Sequence, residues 1–225
     1  MSLSRASLLR AAAGGAMSLA LGGRALAQTP MARRRIPSSG EMLPVIGVGT
    51  WLTFDHPPER RTPLADVLRV LFGNGGSVID SSPMYGASEA AVSELLAAAN
   101  ARDKAFVATK VWTSGKQAGI DQMRRSMELL RTGPRIELIQ VHNLVDWRVH
   151  LATLRAWKAE GRVRYLGVTH YQVSAHDDLE AVMRAEALDF QPHLGKLGSV
   201  RFEAVALGFV EFHDFGEEQG LRPDT

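Results

Sequence analysis

The stretch Gly47-Val48-Gly49-Thr50-Trp51-Leu52 decides between the two folds that the rest of the chain allows. Short apolar runs at residues 45–49, 78–80, 106–110, 138–142 and 165–169 alternate with helical patterns at residues 64–72, 88–99, 120–130, 150–159 and 175–187. This alternation predicts a parallel sheet, as an open doubly wound sheet or as a closed eight-unit barrel. A dinucleotide-binding open sheet needs Gly-x-Gly-x-x-Gly after its first strand, and Leu52 stands where the last glycine belongs. The stretch therefore favours the barrel.

Polar or aromatic side chains follow the carboxyl ends of the predicted strands. They are Thr50, Trp51, Asp80, Lys110, His142, Thr169 and His170. In a barrel these ends meet at one rim, where barrel enzymes hold their active sites. The sequence thus predicts an α/β fold of the (β/α)8 TIM-barrel type. Five strand and helix units end near residue 187, and residues 188–190 are a candidate sixth strand, so we expect an incomplete barrel of about five to six of the eight units.

Composition excludes several classes of protein. The 225 residues are 45% hydrophobic and 22% charged, as in ordinary globular domains, and cysteine is absent, which excludes disulfides, thiolate metal sites and cysteine nucleophiles. Six of the 26 basic residues lie in residues 1–36, which hold no acidic one, so the 20 that follow face 24 acidic residues. This balance argues against a nucleic-acid-binding protein. The triplet at residues 33–35 is interpreted either as a small phosphate-binding patch or as a solvated basic arm.

The amino terminus has the pattern of a secretory signal. Arg5 and Arg10 precede an apolar run at residues 11–21, and Ala25-Leu26-Ala27 offers small residues to a signal peptidase. We predict a signal peptide at residues 1–27 and a periplasmic or secreted location; the alternative is an amphipathic first helix that stays attached. Residues 4–10 resemble the twin-arginine export motif, with Ala6 in place of its second arginine. Since no later run reaches 18 apolar residues, no membrane anchor is expected in the mature chain.

Four side chains on the predicted rim suit the reduction of a carbonyl group. A tyrosine with a pKa near 10 exchanges protons poorly at neutral pH, but an ammonium beside it stabilises the phenolate and lowers that pKa. Lys110 is suited to act in this way on Tyr85, and Asp80 compensates the charge of a buried Lys110. His142 can then orient the oxygen of a substrate. Each residue also has a structural explanation by itself: Asp80 as a turn cap, Lys110 as a polar strand end, and His142 and Tyr85 as packing residues.

Five segments, taken together, resemble the motifs of the aldo-keto reductase family in their order. They are residues 43–51 (LPVIGVGTW), 78–89 (VIDSSPMYGASE), 106–110 (FVATK), 139–143 (IQVHN) and 161–169 (GRVRYLGVT). The resemblance covers roughly residues 36–190, and the leader before it is similar to that of a bacterial exported subgroup. It implies a (β/α)8 barrel that uses NADPH to reduce a small-molecule carbonyl substrate, an aldehyde or a ketone. The family's catalytic aspartate, tyrosine, lysine and histidine correspond to Asp80, Tyr85, Lys110 and His142.

The resemblance also implies cofactor-binding residues. Thr50 and Trp51 correspond to a loop near the nicotinamide, Asp80 lies near its ribose, and Thr169 and His170 stand where many members carry a serine and an asparagine that hold the carboxamide. The family's sixth-strand glutamine has no match in register, since the chain reads Asp189-Phe190-Gln191-Pro192. Residues 191–225 are expected to be a divergent tail, as a truncation or frameshift after about residue 190 would produce.

Two other functions are open at the level of the sequence. One is a non-catalytic remnant or binding subunit that keeps the surface of a reductase without turnover. The other is a metal-dependent barrel hydrolase, which would need clustered His, Asp or Glu ligands; only Asp80, His142 and His170 qualify, and no metal site is predicted. Three tryptophans either line the mouth of the site or pack helices, namely Trp51, Trp112 and Trp147.

Overall fold

The computed structural model of this chain describes residues 30–190 and the backbone of residues 208–210. Its strands are β1 (Arg33–Arg35), β2 (Met42–Pro44), β3 (Ile46–Gly49), β4 (Val78–Asp80), β5 (Phe106–Val111), β6 (Ile136–His142), β7 (Val163–Thr169) and β8 (Gly208–Val210). Its helices are α1 (Thr62–Gly73), α2 (Ser88–Ala98), α3 (Lys116–Leu129), α4 (Trp147–Ala159) and α5 (His176–Ala185). The predicted signal peptide at residues 1–27 lies outside the described residues, as do residues 191–207 and 211–225.

The predicted alternation of strands and helices is confirmed. Each of the five predicted strands forms, each is followed by its helix, and the main sheet has the order β7-β6-β5-β4-β3-β8 with every pair parallel. A parallel pair needs a crossover of a dozen or more residues, which the helices supply. Phe190 makes a parallel bridge to Gly167 of β7, on the side of β7 where the next strand of the sheet would pair. This agrees with the prediction of a candidate sixth strand at residues 188–190. A Cβ on Gly167 would lie 2.4 Å from the Phe190 carbonyl oxygen, so only glycine permits this approach.

The two faces of the sheet hold separate apolar cores. Side chains that point outward, such as Ile79, Val107 and Ile139, pack against the helices. The inward side chains form a second cluster of Ile36, Leu43, Val78, Phe106, Ala108, Leu138, Tyr165 and Phe190. Because successive residues of a strand alternate between faces, the residues two positions beyond Val78, Ala108 and Leu138 also point inward. These residues are Asp80, Lys110 and Gln140, so the fold places polar groups directly above the inner core.

A short antiparallel hairpin covers the amino-terminal end of the sheet. Arg33, Arg34 and Arg35 form β1 and pair with β2, although all three are exposed. Their backbone is therefore part of a strand, while their side chains lie in solvent, as the interpretation of a solvated arm predicts. The loop of the hairpin places Glu41 against the Tyr165 hydroxyl, which donates a hydrogen bond to its carboxylate. Ile36 and Leu43 close the inner core from below.

Within the part of the chain that the structure describes, no helix is long and apolar enough to cross a membrane.

Candidate active site

A buried ion pair lies at the carboxyl ends of β4 and β5. Asp80 is the last residue of β4, and Lys110 lies near the end of β5, with their side chains 7% and 5% exposed. The Lys110 ammonium donates to Asp80 Oδ2 and, at 2.9 Å, to the carbonyl oxygen of Ser81. Burial by itself would lower the pKa of Lys110, but the charge of Asp80, with that of Tyr85, raises it. The ammonium therefore stays protonated at neutral pH.

Tyr85 stands beside this ammonium. Its loop leaves β4 at Ser81 and turns back into α2, so the tyrosine lies above the end of β5. Lys110 Nζ is 4.8 Å from the centre of the Tyr85 ring, and the phenol contributes to the raised pKa of Lys110 by charge and hydrogen bonding. Such coupling is reciprocal, so the ammonium favours the phenolate form of Tyr85. Lys110 thus interacts directly with both Asp80 and Tyr85.

His142 ends β6, two residues beyond Gln140, and is close enough to the ion pair for electrostatic coupling. Burial, as the largest cause, together with electrostatic repulsion from Lys110 and His170, lowers the pKa of His142 to about 4. The imidazole is consequently neutral at pH 7, when one ring nitrogen carries a proton and the other does not. Trp112 meets it edge-on with ring centres 6.3 Å apart.

The predicted cofactor residues occupy the same end of the sheet. Thr50 is buried after β3, its backbone N–H donates to the Asp80 carbonyl oxygen at 3.0 Å, and its hydroxyl donates to Ser81 Oγ at 2.9 Å. Trp51 follows it with 42% of its surface exposed. Thr169 ends β7 opposite His142 in the sheet register. His170 is half-buried and accepts a hydrogen bond on Nδ1 from the Gln172 backbone.

Several buried polar atoms at this rim have no hydrogen-bond partner among the described residues. They are Ser82 Oγ, His142 Nδ1 and Asn143 Oδ1. Buried polar atoms are rarely left unsatisfied in folded proteins, and unsatisfied ones cluster where a ligand or water completes them. The rim therefore has the donor and acceptor groups of a site for a polar ligand. Among the described residues, no group of three His, Asp or Glu side chains could hold a metal ion.

Two contributors to the rim are absent from the sequence predictions. Gln140 Nε2 donates to Asp80 Oδ1 at 3.4 Å, so it supports the carboxylate on the side away from Lys110. The alternation of side chains along β6 is the pattern that could predict this role of Gln140, since residue 140 shares a face with Leu138 and His142. The Ser81 carbonyl oxygen is a backbone group, which no residue pattern reveals. Two of the three predicted tryptophans have a clear place: Trp112 faces His142, whereas Trp147 packs against the apolar core that lies between the sheet and the helices.

Sequence comparison identifies relatives of this chain. The profile of the Aldo/keto reductase family matches residues 45–194. The methylglyoxal reductase YeaE of Escherichia coli (strain K12) is 30% identical over 156 residues, which are 66% of this chain and 54% of that protein. The methylglyoxal reductase DkgA of Yersinia pestis is 28% identical over 189 residues, which are 81% of this chain and 58% of that protein. The chain spans about half to three fifths of the length of these relatives.

Solved structures share the fold. An aldo-keto reductase from Klebsiella pneumoniae, crystallised in complex with NADPH, superimposes with a TM-score of 0.57 at 24% identity, over 68% of this chain and 54% of that one. The protein PA4992 from Pseudomonas aeruginosa gives a TM-score of 0.54 at 27% identity, over 66% and 63% of the two chains. The parallel sheet described above thus matches the (β/α)8 barrels of these proteins over part of their length, in agreement with the prediction of an incomplete TIM-type barrel. The family profile covers two thirds of the sequence, and the chain belongs to the aldo/keto reductase family.

Proposed function

We propose that this chain carries the catalytic rim of an oxidoreductase that reduces an aldehyde or ketone with NADPH, with Tyr85 as the general acid. The observation that carries the proposal is the position of Lys110 Nζ, bound to Asp80 and 4.8 Å from the centre of the Tyr85 ring. Membership of the aldo/keto reductase family and the NADPH-bound neighbour from Klebsiella pneumoniae support it.

The residues at the rim fit the nicotinamide end of NADPH. Buried polar atoms without partners among the described residues lie at the ends of β4 and β6, where a carboxamide or a carbonyl oxygen could pair with them. Thr50, Trp51 and Asp80 would hold the cofactor from one side of the rim, and Thr169 and His170 from the other. When bound, NADPH supplies a hydride to the carbonyl carbon of the substrate.

Proton transfer to the carbonyl oxygen is assigned to Tyr85. The phenol loses its hydroxyl proton to the oxygen while the carbon gains the hydride, so the product is an alcohol and the residue is left as a phenolate. The Lys110 ammonium stabilises that phenolate, because opposite charges at this distance in a buried site attract strongly. Asp80 keeps Lys110 charged and so acts on the phenol through it.

His142 is assigned to orient the substrate. With its pKa lowered to about 4, the imidazole is neutral and does not compete with Tyr85 as a proton donor at pH 7. One of its ring nitrogens then carries a hydrogen that can bind the carbonyl oxygen and hold it near the phenol. Trp112, edge-on to His142, supplies an apolar wall beside it.

Methylglyoxal is the substrate to test first, because two curated relatives are named as reductases of this aldehyde. The full chain is titrated with NADPH while tryptophan fluorescence is recorded, and oxidation of NADPH is then followed after methylglyoxal is added. We expect saturable binding and turnover. Tyr85→Phe should retain NADPH binding and lower kcat by about 10²- to 10⁴-fold, the usual contribution of a general acid.

The same experiment separates the proposal from its alternative. Saturable NADPH binding without reduction of methylglyoxal or of simple aromatic aldehydes and ketones would favour a non-catalytic binding subunit. An absence of NADPH binding, or equal turnover by the wild type and Tyr85→Phe, would contradict the proposed function. Asp66→Ala, on the exposed face of α1, serves as the control variant and should match the wild type in both measurements.

A further inference from the structure

The turn that follows Tyr85 depends on a contact from another loop. Gly86 has a positive φ of +57°, and Ala87, which precedes α2, has only a methyl side chain, so no side chain of its own caps the helix. The Ala87 backbone N–H donates instead to Asp55 Oδ1 at 2.8 Å. Asp55 lies 32 positions earlier in the sequence, in the loop between β3 and α1.

Gly86 makes room for the Asp55 carboxylate. A Cβ on Gly86 would lie 2.2 to 2.4 Å from all three atoms of that carboxylate, so the carboxylate would have to move. Glycine at position 86 therefore favours the positive φ of this turn and leaves room for Asp55, whose exposed side chain a Cβ would displace. The carboxylate also lies at the amino-terminal end of α2, where the helix dipole favours a negative charge.

The loop that carries Asp55 is itself fixed. Phe54 is buried and its N–H donates to the Thr50 carbonyl oxygen at 3.2 Å. Arg61 donates from Nε to the His56 carbonyl oxygen at 2.7 Å and forms an ion pair with Glu94 of α2. The Ser88 hydroxyl donates to the Thr50 carbonyl oxygen at 3.2 Å. Asp55 thus connects an anchored loop to the turn that bears Tyr85.

We propose that Asp55 is a positioning residue, which holds the turn at residues 85–87 so that the phenol of Tyr85 stays beside the Lys110 ammonium. This inference rests on the proposed function for its catalytic meaning, because Tyr85 is the proton donor there. The hydrogen bond itself does not depend on that function: without the Asp55 carboxylate, the Ala87 N–H loses its side-chain acceptor and the turn loses its contact with the loop between β3 and α1.

The test compares Asp55→Ala with Asp55→Asn, whose side-chain oxygen can still accept from Ala87, and with Asp66→Ala as an exposed control on α1. The first readout is the exchange of the Ala87 amide hydrogen, followed by nuclear magnetic resonance. The second is the ionisation of Tyr85, followed by ultraviolet absorbance with Tyr85→Phe as the reference. The third is kcat and KM for methylglyoxal. Gly86→Ala provides an independent route to the same displacement.

In Asp55→Ala and Gly86→Ala we expect the amide hydrogen of Ala87 to exchange at least roughly tenfold faster. The midpoint of Tyr85 ionisation should move to higher pH by about half a pH unit or more. The value of kcat should fall by a larger factor than KM changes. Asp55→Asn should stay near the wild type in all three. Unchanged exchange and unchanged Tyr85 ionisation in Asp55→Ala would overturn the proposal. If the wild type shows no turnover while both spectroscopic shifts occur, the positioning role stands and the proposed function fails.

Discussion

Lys110 keeps its charge in a setting that would normally remove it. Its side chain is buried, and burial alone lowers the pKa of a lysine. The Asp80 carboxylate reverses this effect, so that the pKa of Lys110 is raised and the ammonium faces the Tyr85 ring. Buried ion pairs contribute little to stability because both ions lose their hydration. The role of Asp80 in this pair is better understood as holding the positive charge of Lys110 next to the Tyr85 phenol.

His142 offers a test of the site through stability alone. In the unfolded chain its pKa is close to the ordinary 6.5, and in the folded protein it is lowered to about 4. Between these values the unfolded state binds more protons, so the free energy of unfolding falls as the pH falls through this window. Replacement by glutamine removes the titrating group.

We therefore expect the wild type to lose roughly 1 to 2 kcal/mol more than His142→Gln between pH 7 and pH 5. Urea unfolding of both proteins at the two pH values measures the difference, and titration of the other histidines cancels in the comparison. Equal losses in the two proteins would show that His142 takes up its proton as readily in the folded state as in the unfolded one.

The individual residues differ in how far sequence could predict their place. Asp80, Lys110 and His142 were found because each stands at a strand end, and strand ends follow from a periodic pattern. Asp55 was missed because an exposed aspartate in a loop resembles any solvated residue. Its contact arises only when Gly86 takes its positive φ and brings the Ala87 N–H towards it.

Among the elements, the amino-terminal hairpin formed by β1 and β2 shows where prediction of strands from sequence patterns fails. Three successive arginines carry no alternation of apolar and polar residues, so β1 had no signal of its own. It forms because its backbone pairs with β2, whose Leu43 and Pro44 are buried. The strands β3 to β7 and the five helices that follow them, in contrast, repeat an apolar period that can be recognised without knowledge of their partners.

The segment after α5 is anchored by one carboxylate. Asp189 is 4% exposed and accepts hydrogen bonds from Ser38 of the hairpin loop, from Lys158 of α4 at 2.6 Å, and from the backbone N–H of Leu166 in β7 at 2.9 Å. Three elements are therefore joined at a single buried side chain, next to the bridge between Phe190 and Gly167.

Asp189→Ala should lower the free energy of unfolding by about 2 kcal/mol, because the buried Leu166 N–H loses an acceptor. The loss is below that of a fully buried ion pair, since Lys158 is 38% exposed and can turn to water. Asp66→Ala, which removes an ion pair whose partners are both more than two thirds exposed, is the matched control and should change stability by less than about 0.5 kcal/mol. Equal effects in urea unfolding would contradict the anchoring role.

At the scale of the whole molecule, the site exists because parallel strands end on the same side. Asp80, Lys110 and His142 are separated by 30 to 62 positions in sequence, yet the registers of β4, β5 and β6 bring them to one rim. Sequence pattern predicted the order of the elements and hence this convergence. Distances within the rim, the neutrality of His142 and the support from Gln140 depend on side-chain packing, which no linear pattern contains.

The central claim, that the Lys110 ammonium promotes ionisation of Tyr85, is tested most directly by ultraviolet titration of the tyrosines in the wild type, Tyr85→Phe and Lys110→Met. Burial and Glu41 raise the pKa of Tyr165, so its signal lies at higher pH. We predict a low-pH tyrosinate phase in the wild type that is lost in Tyr85→Phe and that moves to higher pH in Lys110→Met. A titration curve of Lys110→Met that superimposes on that of the wild type would contradict the account.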